Sequence, residues 1–257
     1  SAVVFTLLSI PLFVKCPVAP NATVIVRAPI GNLLVDTASP DSVDVEVSNR
    51  QVTSREVTCR TDLVEIEGAA PPQFSGSADW KIHVPKSVHL DLVTLGGNIQ
   101  MADSDGNVTL RTTGGYVTAG NIAGSAAIVT QGGFIKAGNI GGIAELRSKG
   151  GYLEVGNIGG GTDFETSGGA IRAGIINGQV TASTLGGNIT IREARGDVVA
   201  TTAAGLTDTV TRAIAQELSK AWPQPALVEN CPGGSTIVDS RSSTIAGPAK
   251  VAPGARR

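Results

Sequence analysis

Residues 112–151 read TTGGYVTAGNIAGSAAIVTQGGFIKAGNIGGIAELRSKGG, and the spacing inside this stretch decides the fold. Gly-Gly pairs begin at Gly114, Gly132 and Gly150, 18 residues apart. Working outward, the pair recurs at Gly96, Gly168 and Gly186 with the same step of 18. Half a repeat later another glycine keeps the register, at Gly106, Gly124, Gly142, Gly160, Gly178 and Gly196. Ahead of each pair stands a hydroxyl residue: Thr94, Thr112, Thr130, Ser148, Thr166 and Thr184, then Thr202 before Ala204-Gly205. An unbroken period of this kind marks a solenoid.

The residues between the glycines say which kind. Val108-Thr-Leu110-Arg-Thr112, Ala126-Ala-Ile128-Val-Thr130 and Ala144-Glu-Leu146-Arg-Ser148 alternate with period two, the pattern of strands with one face inward. A second inward series runs Ile99, Val117, Ile135, Leu153, Ile171 and Ile189. Two strands and two glycine turns per repeat make one coil, so seven coils stacked at about 4.8 Å give a rod on the order of 30 Å. The expected fold is therefore all-β, a single-stranded β-solenoid (β-helix) of 18-residue coils. Upstream, Val88–Thr94 fits the preceding coil, with Ile82 and Val84 on that coil's other strand. Residues 23–35, 42–47 and 63–66 read as further, irregular strands.

Composition agrees and excludes other classes. The chain has 33 Gly and only 9 aromatics (5 Phe, 2 Trp, 2 Tyr) among 257 residues, which suits a thin core of closely stacked backbone. A charged fraction of 16% with net charge −2 provides no basic stripe, so no nucleic-acid partner is expected. Cys16, Cys59 and Cys231 are too few and too scattered for a metal cluster, whereas a single Cys16–Cys59 pair is open to an oxidising compartment.

The run from His83 to Ile99, His-Val-Pro-Lys-Ser-Val-His-Leu-Asp-Leu-Val-Thr-Leu-Gly-Gly-Asn-Ile, resembles the bacterial “putative adhesin” family of β-helical envelope proteins. Asn21-Ala-Thr-Val-Ile-Val and Val43-Asp-Val-Glu-Val47 fit the same pattern, and the resemblance covers about residues 16–205. It implies an extracytoplasmic, right-handed, non-catalytic β-helix, and its motifs identify a scaffold without identifying a site. Gly-Gly stands here where that family more often has Gly-Asp, which removes outward carboxylates.

The two ends differ in kind. Residues 1–15 begin with the apolar, β-branched Ser-Ala-Val-Val-Phe-Thr-Leu-Leu, shorter than a membrane helix requires and interrupted by Pro11. This segment reads as an arm pairing with a neighbouring chain, a first core strand or a signal remnant. Residues 16–77 read as irregular β coils and cap, and 78–205 as the regular solenoid. In 206–236, Val210, Ile214, Leu218 and Ala221 share one helical face, followed by a strand over 226–230, so a helix–strand cap is expected. The stretch around 204–236 is similar to the opening of tripartite tricarboxylate transporter substrate-binding proteins, of which it would be a fragment reused as a cap. Residues 237–257 have linker composition.

No nucleophilic triad, metal motif or cofactor fingerprint is present, so no catalytic residue, metal or small-molecule cofactor is expected. Glu145 and Asp163 occupy equivalent outward places one coil apart, a spacing that suits a retaining glycosidase pair or a calcium site and supports the alternative of a carbohydrate-binding or carbohydrate-active module on a pectate-lyase-like solenoid. His89 alternates outward with Asp91, as a solvated strand residue would. Lys136, Glu154 and Arg172 alternate in sign on successive coils, as cross-strand pairs do. Tyr116, Phe134 and Tyr152 fall at one position on three consecutive coils and form the candidate binding stripe, placed on the strand face away from the core. The expected partners are a second copy of the chain and a glycan or cell-surface molecule.

Overall fold

The computed structural model describes residues 14–48, 57–68, 79–202, 227–230 and 236–239. Residues 1–13 of the expected arm, the predicted helix and residues 240–257 of the expected tail lie outside them; Val14 and Lys15 belong to β1, and residues 237–239, read from their linker composition as tail, belong to strand β22. Seven strands precede the regular stack: β1 (Val14–Pro17), β2 (Thr23–Ala28), β3 (Leu33–Asp36), β4 (Ser42–Val47), β5 (Val57–Cys59), β6 (Leu63–Glu67) and β7 (Trp80–His83). Then come β8 (His89–Thr94), β9 (Ile99–Met101), β10 (Val108–Thr112), β11 (Val117–Ala119), β12 (Ala126–Thr130) and β13 (Ile135–Ala137). The stack continues through β14 (Ala144–Ser148), β15 (Leu153–Val155), β16 (Thr162–Thr166), β17 (Ile171–Ile176), β18 (Val180–Thr184) and β19 (Ile189–Ala194). β20 (Val198–Thr202) opens another coil, and β21 (Leu227–Asn230) and β22 (Thr236–Asp239) follow.

The strands form two sheets. Sheet A runs β1-β4-β7-β3-β9-β11-β13-β15-β17-β19, and sheet B runs β21-β22-β20-β18-β16-β14-β12-β10-β8-β2-β6-β5. From β10 to β20 each strand lies parallel on the one 18 residues earlier, as in Leu110↔Ile128 and Val117↔Ile135. Six complete coils, β8–β9 to β18–β19, therefore stack in register. A third side, not anticipated from the strand pattern, carries single parallel bridges Ser104↔Ile122, Ile122↔Ile140, Ile140↔Ile158 and Ile158↔Ile176.

Inward side chains form continuous columns. Leu110, Ile128, Leu146 and Phe164 are each fully buried on sheet B, and Ala182 follows Phe164 one coil on. Small after large keeps the column filled without pushing the coils apart. On the third side Ile122, Ile140, Ile158 and Ile176 are buried in the same way.

The second glycine of each pair is required by this stacking. A Cβ on Gly115 would stand 2.5 Å from the carbonyl carbon of Gly97 and 2.6 Å from Asn98 Oδ1, whereas one on Gly114 would meet nothing nearer than 3.7 Å. The first glycine is roomy at Gly96 and Gly114 but tightens along the stack, where a Cβ on Gly132, Gly150 or Gly168 would stand 2.9, 2.7 or 2.8 Å from a carbonyl oxygen of the preceding coil.

The N-terminal part corrects the expected coil order. Residues 80–84 do not form the coil directly beneath β8 and β9. That place is taken by β2 and β3, with Val24↔Leu90 and Leu33↔Ile99 in register, while β6 and β7 lie one layer further out. The chain lays down β2–β3, passes beneath it, and returns above it to begin the regular stack. Gly31, at φ 119°, takes the place of the second glycine, so Ile30-Gly31-Asn32 is a repeat corner with a degenerate sequence. Beneath it Trp80 is buried, and its indole Nε1 donates to Ile30 O at 3.4 Å.

Both sheets end on short antiparallel strands at this end: β1 on β4 and β5 on β6. A Cys16–Cys59 disulfide, with Cα atoms 5.5 Å apart, joins those two terminal strands. At the other end β22 lies antiparallel on β20 and β21 on β22, so the strand expected over 226–230 is present.

Candidate functional site

The stripe residues sit just before β11, β13 and β15, immediately after the glycine pairs. They are half-buried at the corner, not on a strand face away from the core as expected. Tyr116 and Phe134 stack with centroids 4.9 Å apart and planes 2° from parallel, and Phe134 and Tyr152 stack at 4.9 Å and 1°. The ring spacing is the coil spacing, so backbone register imposes the stack. Each inner face lies against the next ring, leaving ring edges and hydroxyls for a partner. Gln100 Nε2 donates to Tyr116 Oη at 2.9 Å, which closes the lower end of the stack.

Corner hydroxyls hold the coils together. Thr112 Oγ1 donates to Gly97 O and Thr130 Oγ1 to Gly115 O, both at 2.6 Å. Ser148 does the same to Gly133 O at 2.7 Å, and Thr166 to Gly151 O at 2.6 Å. In return the hydroxyl accepts the N–H of its own coil's second glycine, as from Gly133 to Thr130 at 3.3 Å. The inward hydroxyl column thus bonds along the stack and to turn backbone.

A second ladder went unrecognised in the sequence. Asp103 Oδ1 accepts the Asn121 N–H at 2.7 Å, Asn121 Oδ1 that of Asn139 at 2.9 Å, Asn139 Oδ1 that of Asn157 at 2.8 Å, and Asn157 Oδ1 that of Ile175 at 2.9 Å. The backbone N–H of Asn121 holds the Asp103 carboxyl below its ordinary range. Its signal was available: Asn-Ile recurs at Asn121-Ile122, Asn139-Ile140 and Asn157-Ile158 in the same register. These residues line a shallow trough of about 510 Å³ along the third side, with Lys86 near one end and Arg195 near the other.

The other candidates are all engaged. Glu145 and Asp163 lie side by side in register, with Arg147 between them at 3.0 Å and 2.7 Å, and Glu165 at 3.6 Å from the same guanidinium. His89 Nδ1 accepts the Asn107 N–H at 2.9 Å, which makes it the foot of a third ladder. His83 Nδ1 lies 2.6 Å from Asp36 Oδ2. Lys136 meets Glu154 at 2.9 Å, and that bond raises the lysine's pKa above its ordinary value. Among the described residues no group of three or more metal-ligating side chains converges. Among the described residues no helix is long and apolar enough to cross a membrane.

Fold and site together define a β-solenoid whose surface groups are tied into inter-coil ladders. No family model and no curated protein matches the chain. Among solved structures, it is similar to a “putative cell adhesion protein” from Clostridium sporogenes at 11% identity and TM-score 0.37, over 72% of this chain and 99% of that one. A “putative adhesin” from Parabacteroides distasonis matches at 11% identity and TM-score 0.27, covering 72% and 93% of the two chains. From the same organism, a “putative lipid binding protein” matches at 11% identity and TM-score 0.31, covering 73% and 95%.

Proposed function

We propose that this chain is a non-catalytic, adhesin-like structural β-solenoid of the cell envelope or exterior, which self-associates through its terminal segments. The observation that carries the reading is the use of surface polar groups along 89–202. Asparagine amides, corner hydroxyls and Arg147 bond to the coil above or below, which favours a stiff rod over a site with free reactive groups. His83, His89 and the Glu145–Asp163 pair are occupied in the same manner. The disulfide between the terminal strands favours an oxidising, extracytoplasmic compartment. A right-handed winding, the sense favoured by parallel crossovers, and a helical cap within 206–236 complete the reading. The Tyr116–Phe134–Tyr152 stack serves as a rigid rib for contact with a cell-surface partner through ring edges and hydroxyls.

Light scattering and negative-stain microscopy on the full chain, and on a chain lacking residues 1–15, test the assembly. Oligomers or filaments that vanish with the deletion support it. A monodisperse monomer in both cases overturns it.

A further inference from the structure

The four sheet ends are not alike. Three end on antiparallel strands: β1 and β5 at the N-terminal end, and the β21–β22 pair on sheet B at the other. The fourth end is β19, a parallel strand that pairs among the described residues on one side only, with β17. In this ladder a residue's N–H donates to a carbonyl one coil on, as Ile171 N does to Asn188 O at 2.8 Å. The same alternation turns the N–H and C=O of Ile189 and Ile191 towards the open side. Such an edge is a template for another strand.

A fitting segment lies outside the described residues. Val3-Val-Phe-Thr-Leu-Leu8 is apolar, rich in strand-forming residues and as long as β19. With Val3, Phe5 and Leu7 facing the core side, they would extend the inward column of Ile189 and Ile191. The segment enters the fold at β1, at the opposite end of the same ten-stranded sheet. Nine strand spacings separate β1 from β19, about 43 Å. The link from Leu8 to Val14 spans at most about 22 Å. A chain therefore cannot place these residues on its own β19, but can place them on that of a second copy stacked head to tail.

We propose that residues 3–8 of one copy add as a strand to the outer edge of β19 in the next, the edge that pairs with no strand among the described residues, joining the two copies of sheet A. This names the contact within the self-association proposed above and rests on that reading. The contact is heterologous, so each joined pair leaves one donor segment and one acceptor edge free, and the assembly grows as a filament.

The test uses two chains with one free cysteine each beside the Cys16–Cys59 disulfide, Thr6→Cys and Thr190→Cys, both with Cys231→Ser. They are mixed and treated with a short bis-maleimide, alongside light scattering of the untagged chain. The mixture is expected to yield cross-linked dimer. Phe5→Pro, which removes a donor within the arm and leaves residues 14–202 unaltered, is expected to reduce dimer and assembly about tenfold or more. Association without cross-linking, or association unchanged by Phe5→Pro, overturns this pairing and leaves self-association standing. A chain that stays monomeric at every concentration overturns both.

Discussion

From β10 to β20 every strand rests on the one 18 residues earlier, while in the N-terminal part partners lie 66 residues apart (Asn32 and Asn98) or are joined across 43 (Cys16 and Cys59). Both regions bury the same kind of apolar columns. They differ in what fixes the register. In the stack each coil is a template for the next, and register follows from repetition. At the end there is no further coil, so the core is closed by devices that occur once: antiparallel strands, Trp80 and a disulfide. Repetition builds the rod, and singular features terminate it.

The comparison can be broken from either side. Removing the disulfide (Cys16→Ala with Cys59→Ala) should cost about 4 kcal/mol, from the chain entropy that a 43-residue separation releases on unfolding. The loss should concentrate at the N-terminal end. Hydrogen exchange that speeds in β1, β4 and β5 before β12–β16 would agree, and uniform acceleration would not.

Next in size is the glycine pair. Gly115→Ala should lower stability by about 3 kcal/mol, because backbone atoms of the preceding coil occupy the site of its Cβ. Gly114→Ala should cost under about 1 kcal/mol, a contrast that chemical denaturation of both variants measures directly. Thr130→Val keeps the shape but removes the bond to Gly115 O, and should cost roughly 1–2 kcal/mol by the same measurement.

The smallest effect concerns pH. The Asn121 N–H lowers the folded-state pKa of Asp103 beneath its ordinary 3.8. Its contribution to stability is therefore present above that value and is lost as pH falls through the folded one. Asp103→Asn, which keeps the acceptor and removes the titration, should flatten the fall in melting temperature on acidification through pH 4 and below.

The same contrast explains what could be read from the chain. The stack was legible because strand alternation, Gly-Gly corners and hydroxyl positions recur at one spacing, and Glu145 and Asp163 could be set side by side from that spacing alone. Arg147 between them was not inferred, because its reach across two coils is a side-chain conformation. The coil of β2 and β3 was misplaced because its corner, Ile30-Gly31-Asn32, has lost the first glycine and stands 66 residues from its partner. Local sequence cannot announce a return of the chain over such a distance. The asparagine ladder was missed for a different reason: its residues lie between the strands, where period-two reading does not look.

Nuclear Overhauser contacts along the chain test the account most directly. It predicts backbone cross-peaks between residues 18 apart throughout 90–202, for example Thr118 with Lys136 and Asn121 with Asn139, and a separate set 66 apart linking Asn32 with Asn98. Regular contacts at separations outside the 17–19 that one coil imposes, or Asn98 meeting residues 80–84 in place of Asn32, would contradict it.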